Sequence, residues 1–134
     1  MRLGGRNDDE YKKLRHPGLD PGSLKGIFYF YKMERGGYVY FLTNYTNSVL
    51  YIGVTSNLVS RVFEHKNHVY PDSFTAKYNC YKLVYFESFN NIEEAIAREK
   101  NLKNWKRDWK NKIINDLNPE WKDLSLDPEF NNYT

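Results

Sequence analysis

The chain has 134 residues, of which 40% are hydrophobic and 17% aromatic, a composition that fits one domain with a modest core and excludes a disordered chain. A single cysteine, Cys80, excludes an intrachain disulfide and reads as a small packing residue; with three His it leaves little material for a structural zinc site. Net charge is only +3, so global charge is a weak case for nucleic acid, and no apolar run reaches the ~18–20 residues of a membrane span. A reducing, cytoplasmic setting is the default expectation.

Residues 1–35 do not read like the rest. Met1 to Arg15 is charged and lacks an apolar period, and His16 to Ser23 (HPGLDPGS) punctuates any helix or strand with Pro and Gly. That octet resembles peptides translated from bacterial intergenic repeat DNA. Residues 1–35 are therefore expected to be an extended or poorly ordered extension without function, with Met33 an alternative start. The folded domain is expected over 36–126, with 127–134 a frayed tail.

From Gly37 onward the signals are regular. Tyr38 to Thr43 is rich in aromatic and β-branched residues and reads as a strand. Asn44 to Ser48 is turn chemistry, and Val49 to Val54 is a second strand, so the two make a hairpin. Thr55, Ser56 or Asn57 caps a helix to about Lys66, with Leu58, Val59, Val62 and Phe63 as its apolar stripe. Residues 67–80 read as a loop and Tyr81 to Glu87 as a third strand. A helix from Ile92 to about Asn104 turns Ala95, Ile96 and Leu102 inward. A second helix to about Leu117 carries Trp105, Trp109, Ile113 and Leu117 at four-residue steps, and Asn118-Pro119 stops it. Trp121, Leu124 and Leu126 are expected to pin the tail. The order ββαβαα predicts an α/β (α+β) domain, a small three-stranded, mainly antiparallel sheet flanked by helices.

Candidate chemistry sits on this frame. Tyr38 and Tyr40 lie two apart on one strand and share a face, and Tyr51 is on the partner strand with Gly53. Aromatic pairing that stabilises the hairpin explains these tyrosines equally well. Arg61 and His65, four apart, share a helical face near the edge of the apolar stripe. Glu99 falls beside the buried face of its helix, where a carboxylate is costly unless ion-paired or bound to a metal. Between Arg98 and Lys112, seven basic residues (Arg98, Lys100, Lys103, Lys106, Arg107, Lys110, Lys112) face two acidic ones, Glu99 and Asp108. This segment polarises the chain's field.

Together, Tyr38-Val39-Tyr40, Tyr51-Ile52-Gly53, a capped helix with Arg61 and His65, and a later helix with Glu99 resemble the GIY-YIG nuclease domain, from about Gly37 to Leu124. The likeness is to its small stand-alone bacterial members; Tyr38 stands where the name-giving motif has Gly. The resemblance implies a metal-dependent endonuclease that hydrolyses phosphodiesters, with DNA favoured over RNA and a setting in DNA repair or recombination. It implies a catalytic set of Tyr40, Tyr51, Arg61, His65 and Glu99, with Tyr38 and Gly53 as structural motif residues. Glu99 would hold a single Mg²⁺ or Mn²⁺, Arg61 would fork onto phosphate oxygens, and Tyr40 would be the general base helped by His65 or the metal field, although Tyr40 and Tyr51 could exchange roles. Lys100, Lys103, Lys106, Arg107 and Lys110 would track the phosphate backbone. With no recognition module in view, low-specificity or structure-directed cleavage, or targeting by a partner protein, is expected. The alternatives are a nucleic-acid-binding module that has lost the reaction and a protein-interaction domain docking through the Trp-rich helix.

Overall fold

The computed structural model describes residues 36–133; the expected extension and Met33 lie outside them. Strand β1 (Gly37–Thr43) occupies the centre of a three-stranded antiparallel sheet of order β2-β1-β3, with β2 at Leu50–Thr55 and β3 at Lys82–Phe89. The hairpin register sets Tyr40 opposite Gly53 and Leu42 opposite Tyr51. On the other side Tyr40 pairs with Phe86, and a bulge between Phe41 and Leu42 shifts the ladder to Leu83. The turn is tied by the Asn44 side chain, which accepts from the Val49 amide and donates to Ser48.

Both faces of the sheet are covered, because strand residues alternate between two apolar clusters. Val39, Phe41, Ile52, Val54 and Val84 pack beneath helix α3 (Ile92–Lys103) and helix α4 (Arg107–Leu117), meeting Ile92, Ala95, Leu102 and Ile114. Tyr40, Leu42, Tyr51 and Leu83 pack on the opposite face beneath helix α1 (Leu58–Lys66), with Leu58, Val62, Cys80 and Phe130. The observed order agrees with the expected ββαβαα frame, with one addition. Residues 67–80 are not wholly loop: Phe74–Lys77 forms a short helix α2, capped by the Ser73 hydroxyl.

Several side chains differ from the sequence expectation. Phe63 of the α1 stripe is 63% exposed, while the polar Arg61 and His65 are buried. On α4 the inward residue is Ile114, whereas Trp109 and Leu117 stand out in solvent. Four-residue steps drift around a helix of 3.6 residues per turn, so only part of that stripe meets the sheet. Leu126 is exposed and does not pin the tail. Residues 127–133, expected to fray, form a 3₁₀ turn over Pro128–Asn132 that buries Phe130, worth about 1.5–3 kcal/mol.

Two polar ties hold the layers. Asp123 accepts from the Lys66 ammonium (2.6 Å), the Leu83 amide (3.2 Å) and the Ser125 amide and hydroxyl, joining the tail to α1 and β3. Across the sheet, Arg98 on α3 donates twice to Glu87 on β3, and the Tyr85 hydroxyl donates to the same carboxylate. Burial, reinforced by the Glu87 carboxylate, pushes the Tyr85 phenol well above its ordinary range. Among the described residues, no helix is long and apolar enough to cross a membrane.

Candidate active site

The face beneath α1 gathers most of the expected residues. Asn57 caps α1 by accepting from the Ser60 amide, and the helix then turns Leu58, Arg61, Val62 and His65 toward the sheet. His65 meets both tyrosines, its ring centroid 5.7 Å from each, while the two phenol rings lie 6.2 Å apart. The Tyr40 hydroxyl and His65 Nε2 are 3.0 Å apart in a buried hydrogen bond. Tyr40 and Tyr51 are 0% and 1% exposed.

Gly53 makes that arrangement possible. A Cβ on residue 53 would fall well inside van der Waals contact with the Tyr40 ring and hydroxyl. The phenol lies across the strand where any other residue would put a side chain. Tyr38, on the same face, instead sets its ring edge-on to Tyr133 at 6.5 Å.

One segment closes over this cluster. Tyr70 lies against Arg61, with the guanidinium carbon 5.5 Å from the ring centroid. Phe74 stacks on Tyr51 at 6.2 Å. Thr75, 2% exposed, sets its hydroxyl 2.9 Å from His65 Nδ1 and 3.1 Å from the Ser73 hydroxyl. Tyr70, Phe74, Thr75 and Ser73 are absent from the sequence-derived candidates. The available signal was the Asp72-Ser73 capping chemistry before Phe74, which marks a helix start inside the apparent loop. Arg61 Nη1 also donates to Glu64 at 2.9 Å.

Glu99 is buried on α3, which packs on the opposite face of the sheet, and its Oε2 is 2.5 Å from the Lys103 ammonium. Among the described residues, no group of three or more His, Cys, Asp or Glu could hold a metal ion. A lone carboxylate suits a hydrated divalent ion such as Mg²⁺, which keeps most of its waters. Here Glu99 is ion-paired instead, its Oε2 taken by the Lys103 ammonium, so a metal ion would have to displace that pair.

The basic residues divide by what they touch. Lys100 and Lys106 are exposed. Arg107 donates to the carbonyls of Asn47 (2.9 Å) and Ser48 (3.3 Å), so it ties α4 to the β1–β2 turn. Lys110 is held below its ordinary pKa, first by burial and then by the charges of Arg107 and Lys103, which marks these three as one positive cluster.

A sheet covered on both faces by helices, with a buried tyrosine–histidine pair opposite a glycine, defines a small α/β domain with a polar centre beneath α1. The model of the GIY-YIG catalytic domain matches residues 36–113, and the chain belongs to that family. It is similar to two bacterial proteins named UPF0213, each matched over 58% of this chain and 81% of the relative. The one from Pediococcus pentosaceus is 32% identical over 78 residues, and the one from Clostridium perfringens 40% identical over 77. No solved structure matches the chain.

Proposed function

We propose that this protein is an endonuclease that hydrolyses phosphodiester bonds of DNA with a single divalent metal ion, by low-specificity or structure-directed cleavage. The observation that carries the reading is the buried 3.0 Å hydrogen bond between the Tyr40 hydroxyl and His65 Nε2. A tyrosine with the reference pKa of about 10 is a poor base at neutral pH, and an imidazole bonded to its hydroxyl supplies the missing acceptor.

As the attacking water gives its proton to the Tyr40 oxygen, the phenolic proton passes to His65 Nε2 and leaves an imidazolium. The new bond to phosphorus forms while the bond to the leaving oxygen breaks, and that oxygen takes a proton from solvent. Arg61 would bind non-bridging phosphate oxygens through its fork of donors, and Tyr51 would orient the water or the phosphate. Glu99, whose helix packs on the face of the sheet opposite Tyr40 and His65, would be the residue that holds the divalent ion. The chemistry such an ion supplies when bound is charge for the phosphoryl group and the leaving oxygen. Lys103 would have to release Glu99 first. Lys100, Lys106 and Lys110 would track the backbone, with Lys103 joining them when released. Both phenols are buried, so substrate reaches them only after side chains packed on them move.

That same burial favours one second reading, a nucleic-acid-binding domain of this fold that does not cleave. Incubation with supercoiled, branched and single-stranded DNA and with RNA, in Mg²⁺ or Mn²⁺, separates the two. Cleavage that disappears in Glu99→Ala supports the enzyme; binding without cleavage by the intact protein supports the second reading. Equal cleavage by Glu99→Ala removes the metal role assigned here.

A further inference from the structure

Thr75 is buried, lies in none of the expected motifs, and is bonded to the His65 imidazole. We propose that Thr75 is the positioning residue of this centre: its hydroxyl accepts the Nδ1–H of His65 and so fixes the tautomer whose Nε2 lone pair faces the Tyr40 hydroxyl. A neutral imidazole carries one proton, so the hydrogen bonds of His65 to Tyr40 and to Thr75 must run in opposite senses. In one arrangement Tyr40 donates to Nε2, Nδ1–H donates to Thr75 and Thr75 donates to Ser73. In the other, Ser73 donates to Thr75, Thr75 to Nδ1, and Nε2–H to the phenol oxygen.

Acidity decides between them. A phenol is a far better proton donor than a neutral imidazole N–H, and an imidazole nitrogen a far better acceptor than a phenol oxygen. The first arrangement pairs the strong donor with the strong acceptor. Ser73 terminates the chain, because its oxygen also accepts the Ala76 amide as the cap of α2. The relay therefore runs from β1 through α1 and ends on a fixed helix start. When Tyr40 gives up its proton, both ring nitrogens become donors, and Thr75 already accepts from one of them. The positioning role for catalysis rests on the nuclease reading; the tautomer does not.

The experiment is nitrogen NMR of His65 in the whole protein, alongside cleavage kinetics of Thr75→Val and Thr75→Ser. Wild type should show Nδ1 protonated and Nε2 as the bare nitrogen. Thr75→Val should disturb that tautomer and lower kcat about tenfold or more with little change in KM, and Thr75→Ser should restore both. A wild-type His65 protonated at Nε2 overturns the proposal without needing any variant to fold. An unchanged tautomer and kcat in folded Thr75→Val overturns it too. If the nitrogens behave as stated and no protein cuts nucleic acid, the tautomer assignment stands and the nuclease reading falls.

Discussion

Gly53 lies directly across the β1–β2 ladder from Tyr40, and the Tyr40 ring occupies the space that a side chain at 53 would take. The glycine is there for contact, since the ring cannot move without losing its bond to His65. Gly53→Ala is expected to cost about 1–3 kcal/mol, the range for overpacking a fixed site. Urea denaturation measures it. A variant as stable as wild type would show that the Tyr40 ring has room to shift.

Tyr40→Phe keeps the ring and removes only the hydroxyl. It should lower stability by about 1 kcal/mol, the net value of one buried hydrogen bond. Cleavage should fall about 10²-fold or more, as for loss of a general base. Parallel melting and cleavage assays read the two effects. Cleavage near wild type would move the base role to Tyr51.

Asp123 gives the tail a pH dependence. Burial opposes its charge, but the Lys66 ammonium and the Ser125 hydroxyl and amide outweigh it and hold the carboxyl below its ordinary 3.8. A depressed native pKa stabilises above the unfolded value and is lost as pH falls through the folded one. Stability should therefore drop below about pH 3.8 in wild type. Asp123→Asn should be less stable at pH 7 by about 1–3 kcal/mol and lack that acid step, as seen in melting temperatures across pH 2–7.

The basic residues should separate by assay. Arg107→Ala removes the tie to the Asn47 and Ser48 carbonyls and should destabilise the fold by about 1 kcal/mol. Lys100→Ala and Lys106→Ala should leave stability unchanged, weaken DNA binding, and each reduce the salt slope by about one. Thermal melts and salt titrations of binding check both halves.

Burial pushes the Cys80 thiol up to about 11, and the residue is fully buried. At pH 8 about one thiol in a thousand would be ionised. Cys80 should resist a disulfide reagent in the native protein and react within seconds once urea unfolds it. Rapid native reaction would mean that the chain opens locally around Cys80.

The frame was legible because each element carried an independent local signal: aromatic and β-branched residues in Tyr38 to Thr43, turn chemistry at Asn44 to Ser48, and the Asn57 cap before α1. The shared face of Tyr38 and Tyr40, and that of Tyr51 and Gly53, followed from the two-residue strand period. Their place in one site came from the family resemblance, and the register that sets Tyr40 opposite Gly53 came from the structure. Burial of Arg61 and His65 was harder to see, because charged and polar side chains ordinarily argue for the solvent face. Here the companions that make burial tolerable, Tyr70 and Thr75, come from a stretch without apolar periodicity. Trp109 and Leu117 misled in the opposite way. Their spacing is helical, but only a contact with the sheet decides which side of a helix is inside.

The Tyr70–Thr75 stretch has a consequence for length. Connecting segments usually tolerate insertion, since lengthening them costs little entropy. This one lays Tyr70 on Arg61, Phe74 on Tyr51 and Thr75 on His65, with a fixed number of residues between the contacts. It works as a measuring gauge. One residue added between Tyr70 and Phe74 would put the two ends out of step, although Tyr40, Tyr51, Arg61, His65 and Glu99 all remained in place.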